Sequence, residues 1–327
     1  MATRPTWIAA LLGAVLLPIV SGCMVNEQRR AVIRSEALVA EAEDMIAQGL
    51  TDKALETFME AIEENPNLTE AHIGVGSILR DRGDHAAART AYEEAVRTDP
   101  NNFDANYYLG LMNQLLGDLH KAVRTYLRAL AINPQSFEAN RDLASAYLQL
   151  GRPGEAIPYA KRATELDPDS QPAWSNLAAA YSLVRDYENA IDAYRQAAEL
   201  GELADPVLLG LADAHIRLGN YGRAINTLNS LIRQSPSSTA YERLGFAQYK
   251  LRRYESALEN FNKALEIDPR DTAAMNGVGV CMMTLYIEGG QENKYQKTQA
   301  IQSWRKSVQL RPDQPRIIDL LSRYGRL

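Results

Sequence analysis

The sequence predicts an all-α chain, a stack of about eight helical hairpins closed by one further helix. Three observations predict it. Prolines 66, 100, 134 and 168 follow one another at intervals of 34 residues, Glu202 holds the next place, and Pro236, Pro269 and Pro312 continue the series. Twelve residues before each of these places stands an alanine: Ala54, Ala88, Ala122, Ala156, Ala190, Ala224, Ala257 and Ala300. Within each interval apolar residues recur at i, i+3, i+4 and i+7, the period of amphipathic helices. A fixed period of this length is the mark of a repeat architecture.

The local lettering agrees with the period. Units open on stretches such as ANYYLGLMNQLLGD and AYERLGFAQYKLRR, and close on stretches such as AYEEAVRTDPNN and NFNKALEIDPRD. Leu109-Gly110, Leu177-Ala178 and Leu244-Gly245 supply an apolar-then-small pair in the first helix. Tyr92, Tyr126, Tyr194, Phe261 and Trp304 supply an aromatic in the second. A small residue at the crossing lets paired helices approach, and the aromatic fills the space beside it. Asp or Asn before proline ends the second helix, because proline disfavours a helical predecessor and cannot continue the hydrogen-bond ladder. One such hairpin cannot bury its own apolar face, so neighbours must stack.

These motifs strongly resemble the tetratricopeptide repeat. The resemblance covers residues 35–312 and implies a right-handed superhelical solenoid of about eight units, 35–68, 69–102, 103–136, 137–170, 171–204, 205–237, 238–271 and 272–312. Residues 313–327 then read as a capping helix, with Ile317, Leu320, Leu321 and Tyr324 at helical spacing. Three departures stand out. Asn113 occupies an expected apolar position. Pro158 falls inside the fourth unit's second helix and predicts a late start or a kink. The eighth unit carries about nine extra residues in Tyr286–Lys297, read as a loop insertion around Gly289-Gly290, with a partner contact as the sharper reading.

The first 22 residues read as a secretory signal. One cation, Arg4, precedes the apolar stretch Trp7–Val20, which is too short to span a hydrocarbon core of ~30 Å. Val20-Ser21-Gly22-Cys23 resembles the bacterial lipobox, which implies cleavage before Cys23 and acylation of its thiol. Residues 23–34 then form the lipidated cysteine and a short tether. Because Met24 is not the aspartate that resembles an inner-membrane retention signal, the expected location is the outer membrane, facing the periplasm. Cys281 is left alone in the mature body, in an apolar helix, and reads as a small buried hydrophobe.

Composition narrows the function. The formal net charge is −6; losing Arg4 with residues 1–22 leaves 34 basic against 41 acidic side chains, or −7. Nucleic acid calls for a cationic stripe, so it is not an expected partner. His72, His85, His120 and His215 show no metal-ligand spacing, and no nucleophile elbow, P-loop or dinucleotide fingerprint occurs. We therefore expect no catalytic residue, no metal, no cofactor and no small-molecule substrate.

The family resemblance implies that first helices line a concave groove for peptides. The positions expected to face it include Ile73, Tyr107, Leu111, Arg141, Asn176, Phe246 and Tyr249, together with Leu209, Ile216, Val280 and Met283. The apolar members read as anchors, Arg141 and Asn176 as polar readers. The chaperone-binding clamp of the family is incomplete, since Ser145 and Ala179 stand where clamp groups belong. Two function classes follow: an envelope scaffold that aids assembly of a pilus, secretion or outer-membrane complex, or an adaptor that docks an envelope enzyme such as a peptidoglycan hydrolase or protease. In both, partners are proteins or peptides in the groove and the membrane through the lipid on Cys23.

Overall fold

The computed structural model describes the backbone of residues 9–325 and the side chains of residues 27–325. The described residues form seventeen helices and no strand, so the fold is all-α. They divide into two compact units, residues 1–151 and 152–327. The N-terminal unit holds α1 (Ala9–Ala47), α2 (Thr51–Glu64), α3 (Thr69–Asp81), α4 (His85–Thr98), α5 (Phe103–Leu115), α6 (Leu119–Ile132) and α7 (Phe137–Gln149). The C-terminal unit holds α8 (Pro153–Leu166), α9 (Gln171–Leu183), α10 (Tyr187–Glu199), α11 (Asp205–Arg217), α12 (Tyr221–Gln234), α13 (Ser238–Lys250) and α14 (Tyr254–Ile267). It ends on α15 (Thr272–Glu288), α16 (Lys294–Leu310) and α17 (Pro315–Tyr324).

Within each unit, successive helices pack as antiparallel hairpins, and the sequence shows why they start and stop where they do. Five first helices open on a side-chain cap: Asn102, Ser136, Ser170, Ser237 and Asp271 each accept from the backbone N–H three residues on. Such a cap satisfies one of the orphan amides of a helix start. Five of the eight second helices close on Asp or Asn before proline. The side-chain oxygens of Asn65, Asp99, Asn133, Asp167 and Asp268 accept from the amide two residues on, bridging the proline. This Asx turn gives the Asp/Asn-Pro step a second purpose beyond stopping the helix.

A third device ties each turn to the next helix. Six residues after prolines 66, 100, 134 and 168 stand His72, Asn106, Asn140 and Trp174, each with a ring or amide nitrogen 2.8–3.2 Å from the proline carbonyl. Asn106 and Asn140 also donate to the carbonyls of Asn102 and Ser136. His72 is thus a structural residue of the repeat. In the C-terminal unit the same register position after Pro236 is Glu242, also buried.

The core is small and aromatic residues in alternation. All eight phase-marking alanines are fully buried. Tyr92, Tyr126, Tyr194, Phe261 and Trp304 are buried as well. Asn113 is buried without a hydrogen-bond partner for its Oδ1 among the described residues.

Three expectations need amendment. The late start expected at Pro158 does not occur: α8 begins at Pro153, 34 residues after α6 and in phase with it. Proline as the first helical residue costs no hydrogen bond, so the helix starts there regardless. The extra residues of the eighth hairpin are mostly helix rather than loop. Helix α15 has 17 residues where α13 has 13, α16 has 17 where α14 has 14, and the connecting turn is residues 289–293. Residues 27–34, read as tether, belong to α1. The side chains of Cys23 and of the apolar run before it lie outside the described residues. No described helix is long and apolar enough to cross a membrane.

Candidate functional site

The seven groove positions fall on first helices, four in the N-terminal unit and three in the C-terminal unit. In the N-terminal unit, Ile73 on α3 and Leu111 on α5 are half-buried against the cluster of Ala88, Tyr92, Leu109 and Met112. Tyr107, one turn before Leu111, stacks on Phe103 with centroids 5.9 Å apart. Its hydroxyl donates to Asp142 Oδ2 at 2.9 Å. Burial, reinforced by the Asp142 charge, raises the phenol well above its ordinary range. Arg141 Nε in turn donates to Asp142 Oδ1 at 2.7 Å, and its guanidinium lies 5.4 Å from the Phe137 centroid. Asp142 therefore joins the expected anchor to the expected reader across α5 and α7. Nothing in the 34-residue pattern singles out this aspartate.

In the C-terminal unit Asn176 sits half-buried on α9. Leu209 and Ile216 pack on the core of α11, α12 and α13. Met283 is 4% exposed and packs with Trp304 and Ile301, so it is core, not groove. Tyr286, from the added length of α15, packs on the same cluster. Phe246 and Tyr249, with Val280, do line an open cleft of about 350 Å³ between α13, α15 and α17.

That cleft is apolar with three polar groups at its walls. Glu242 comes from the register position discussed above, Asn276 from α15 and Arg316 from the capping helix. Glu242 is 8% exposed and accepts from Arg243 Nη1 at 2.8 Å. Burial raises its carboxyl pKa, partly offset by Arg243. Asn276 donates through Nδ2 to Gln314 Oε1 at 2.6 Å, which leaves its buried Oδ1 unpartnered among the described residues. Lys250 Nζ lies 5.3 Å from the Phe246 centroid and Tyr249 packs against Tyr254 at 5.5 Å, which holds both aromatic walls in place. No sequence pattern singled out Glu242, Asn276 or Arg316 as a cleft residue.

Other reactive groups are quiet. Cys281 is fully buried, and burial pushes its thiol up to about 12, so the thiolate is scarce at neutral pH. Among the described residues no group of three or more His, Cys, Asp or Glu side chains could hold a metal.

Sequence profiles described as tetratricopeptide repeat match residues 39–102, 76–137 and 209–279, a second profile matches 113–181, and a third matches 173–203. The curated proteins contain no significant match. Solved structures similar to this chain include a tetratricopeptide repeat protein from Parabacteroides merdae, with TM-score 0.50 and 20% identity over 76% of this chain and 99% of that one. Pseudomonas aeruginosa pilF is similar at TM-score 0.52 and 19% identity, over 66% of this chain and 96% of that one. The APC/C hetero-tetramer Cut9-Hcn1 gives TM-score 0.54 and 17% identity, over 88% of this chain and 55% of that one. At such identities the likeness is one of fold.

Proposed function

Because this chain belongs to the tetratricopeptide-repeat family, we propose that it is a non-catalytic scaffold that binds proteins, anchored to the bacterial envelope by lipid on Cys23. The observation that carries the binding reading is the cleft of Phe246, Tyr249 and Val280. Exposed aromatic and aliphatic walls with a few fixed polar groups suit an inserted peptide side chain. Glu242 and the free Asn276 Oδ1 offer acceptors to the N–H groups of an extended segment. Arg316 offers a bidentate donor to a carboxylate. The Tyr107–Asp142–Arg141 network in the N-terminal unit presents a second polar and aromatic surface on first helices.

The envelope location rests on the signal-like run and on Val20-Ser21-Gly22-Cys23. More than one acyl chain gives stable attachment, at about 0.8 kcal/mol per buried CH₂. On this reading the protein sits on the periplasmic side of the outer membrane and helps assemble a pilus, secretion or outer-membrane complex. Docking an envelope enzyme is the alternative, and the identity of a captured partner separates the two. In-cell crosslinking followed by affinity measurement tests the binding reading. Phe246→Ala and Tyr249→Ala should each weaken the captured partner by about 2 kcal/mol, roughly thirtyfold, with melting unchanged. Wild-type affinity in both variants would sink it. Membrane fractionation and acyl labelling of Cys23→Ser test the anchor, which fails if the variant is retained and labelled as the wild type is.

A further inference from the structure

The second-helix face of the N-terminal unit carries a feature that the first-helix cleft does not explain. Between α2 and α4, over α3, lies an open hollow of about 550 Å³ walled by Leu55, Met59, Ile62, Val75 and Leu79. Met59 is 54% exposed at its rim. Two corresponding hollows are mixed in chemistry. That between α4 and α6 is lined by Leu109 with Lys121, Arg124 and Arg128, and that between α8 and α10 by Trp174, Leu177 and Tyr181 with Lys161, Asp192 and Arg195. The repeat therefore supplies the shape, and the hollow over α3 departs from these two in being almost wholly apolar. Its volume falls within the roughly 300–1,000 Å³ of sites that enclose several apolar groups.

The rim says what chemistry covers it. Leu55, Met59 and Ile62 lie at i, i+4 and i+7 on α2, and Glu56, Glu60 and Glu63 lie one residue on with the same spacing. Two parallel stripes result, one apolar and one of exposed carboxylates. The acids flanking the stripe are paired within the chain, Asp52 with Arg82 and Glu64 with Arg34, both at 2.5 Å. Across the hollow Glu94 pairs with Arg97 at 2.7 Å. The stripe itself has no ion pair among the described residues. Like charges at i and i+4 destabilise a helix, so α2 holds a repulsion between Glu56 and Glu60, with Lys53 its one cation.

We infer that this hollow is a docking site for a basic amphipathic helix of a partner protein. Its apolar face would seat on Leu55, Met59 and Ile62, and its Lys or Arg residues would lie along Glu56, Glu60 and Glu63. Helix-in-groove recognition reads i, i+3, i+4 and i+7 anchors, the spacing that α2 presents. Opposite charge along the edge fixes the orientation and speeds encounter.

The test uses the full chain and two fluorescein-labelled 18-residue helices, one of Leu and Lys with Leu at i, i+3, i+4 and i+7, the other with Glu in place of Lys. The Leu/Lys helix should bind, with an affinity that falls as salt rises, and the Leu/Glu helix at least tenfold more weakly. Met59→Lys should cost at least tenfold. The triple change of Glu56, Glu60 and Glu63 to Gln should cost at least threefold and flatten the salt dependence, which keeps the test valid if Met59→Lys folds poorly. Leu127→Lys, at the matching position of α6, should leave binding unchanged. Equal binding of the two helices, or wild-type binding by both the Met59 and the triple-Gln variants, overturns the proposal. So does a dimer in velocity sedimentation that Met59→Lys dissociates, since the occupant would then be a second copy.

Discussion

Gly110 on α5 faces the ring of Tyr126 on α6 so closely that a Cβ at Gly110 would lie 2.6 Å from Tyr126 Cδ1. The same relation recurs sixteen residues apart at Gly76 and Tyr92 and at Gly245 and Phe261. In these units the small residue of the first helix and the later aromatic are thus one contact.

Gly110→Ala should therefore destabilise by about 1–3 kcal/mol, because the buried ring must shift in a close-packed core. Gly222 near the start of α12 is the contrast, since a Cβ there meets nothing within 4 Å. Gly222→Ala should gain up to about 1 kcal/mol from helix propensity and a less flexible unfolded chain. Urea unfolding of both variants checks the opposite signs.

Arg252 occupies the hairpin turn with φ +60°, and Arg185 with φ +68°, where other hairpins use Gly83, Gly117 and Gly219. A left-handed conformation costs a residue with a Cβ roughly 1–2 kcal/mol. Arg252→Gly should raise stability by about 0.5–1 kcal/mol, the gain being trimmed by the greater freedom of glycine in the unfolded chain. Thermal melting is the readout, and a lower melting temperature refutes the strain argument.

Glu242 gives a pH dependence whose sign is fixed by its burial, which raises its pKa in the folded chain. The folded chain then holds this proton more tightly than the unfolded one, so stability falls as pH rises from about 4.5 through the folded value. Glu242→Gln removes that dependence and can donate an N–H as Asn106 and Asn140 do. Unfolding curves of wild type and variant should converge at low pH and separate above it, with the variant more stable.

How much of this was legible depended on whether the determinant repeats. Ala54 to Ala300 and the Asp/Asn-Pro steps recur in phase, so hairpin number and the alanine and aromatic positions of the core could be read. The capping helix was legible because Ile317, Leu320, Leu321 and Tyr324 form one stripe; all four pack with Met283, Ile301 and Trp304. The added residues after Tyr286 were misread because Gly289-Gly290 marks a turn without fixing how far the helices run to meet it. There Tyr254 Oη donates to Glu288 Oε1 at 3.2 Å, a contact 34 residues distant at the end of α15. In the candidate sites the apolar members follow the repeat. Asp142, Asn276 and the Glu56–Glu60–Glu63 stripe gain meaning only from neighbours on another helix.

The capping helix yields the prediction most specific to a repeat array. Its apolar residues close the last cluster, which contains Met283, Ile301 and Trp304, and Gln314 at its start accepts from Asn276 Nδ2 and bonds Ser307. Deleting residues 316–327 exposes that cluster and removes Arg316 from the cleft. Stability in such an array is close to a sum of unit and nearest-neighbour terms, so the loss should stay local. Four apolar side chains, each contributing about 1.5–3 kcal/mol when fully buried, set an upper bound near 6–12 kcal/mol on the destabilisation of the end hairpins. Hydrogen exchange should then show α13 to α16 opening faster, while α2 to α6 keep their protection. Uniform acceleration along the chain would mean that the array unfolds as one cooperative block, and no change would mean that α17 covers nothing of consequence.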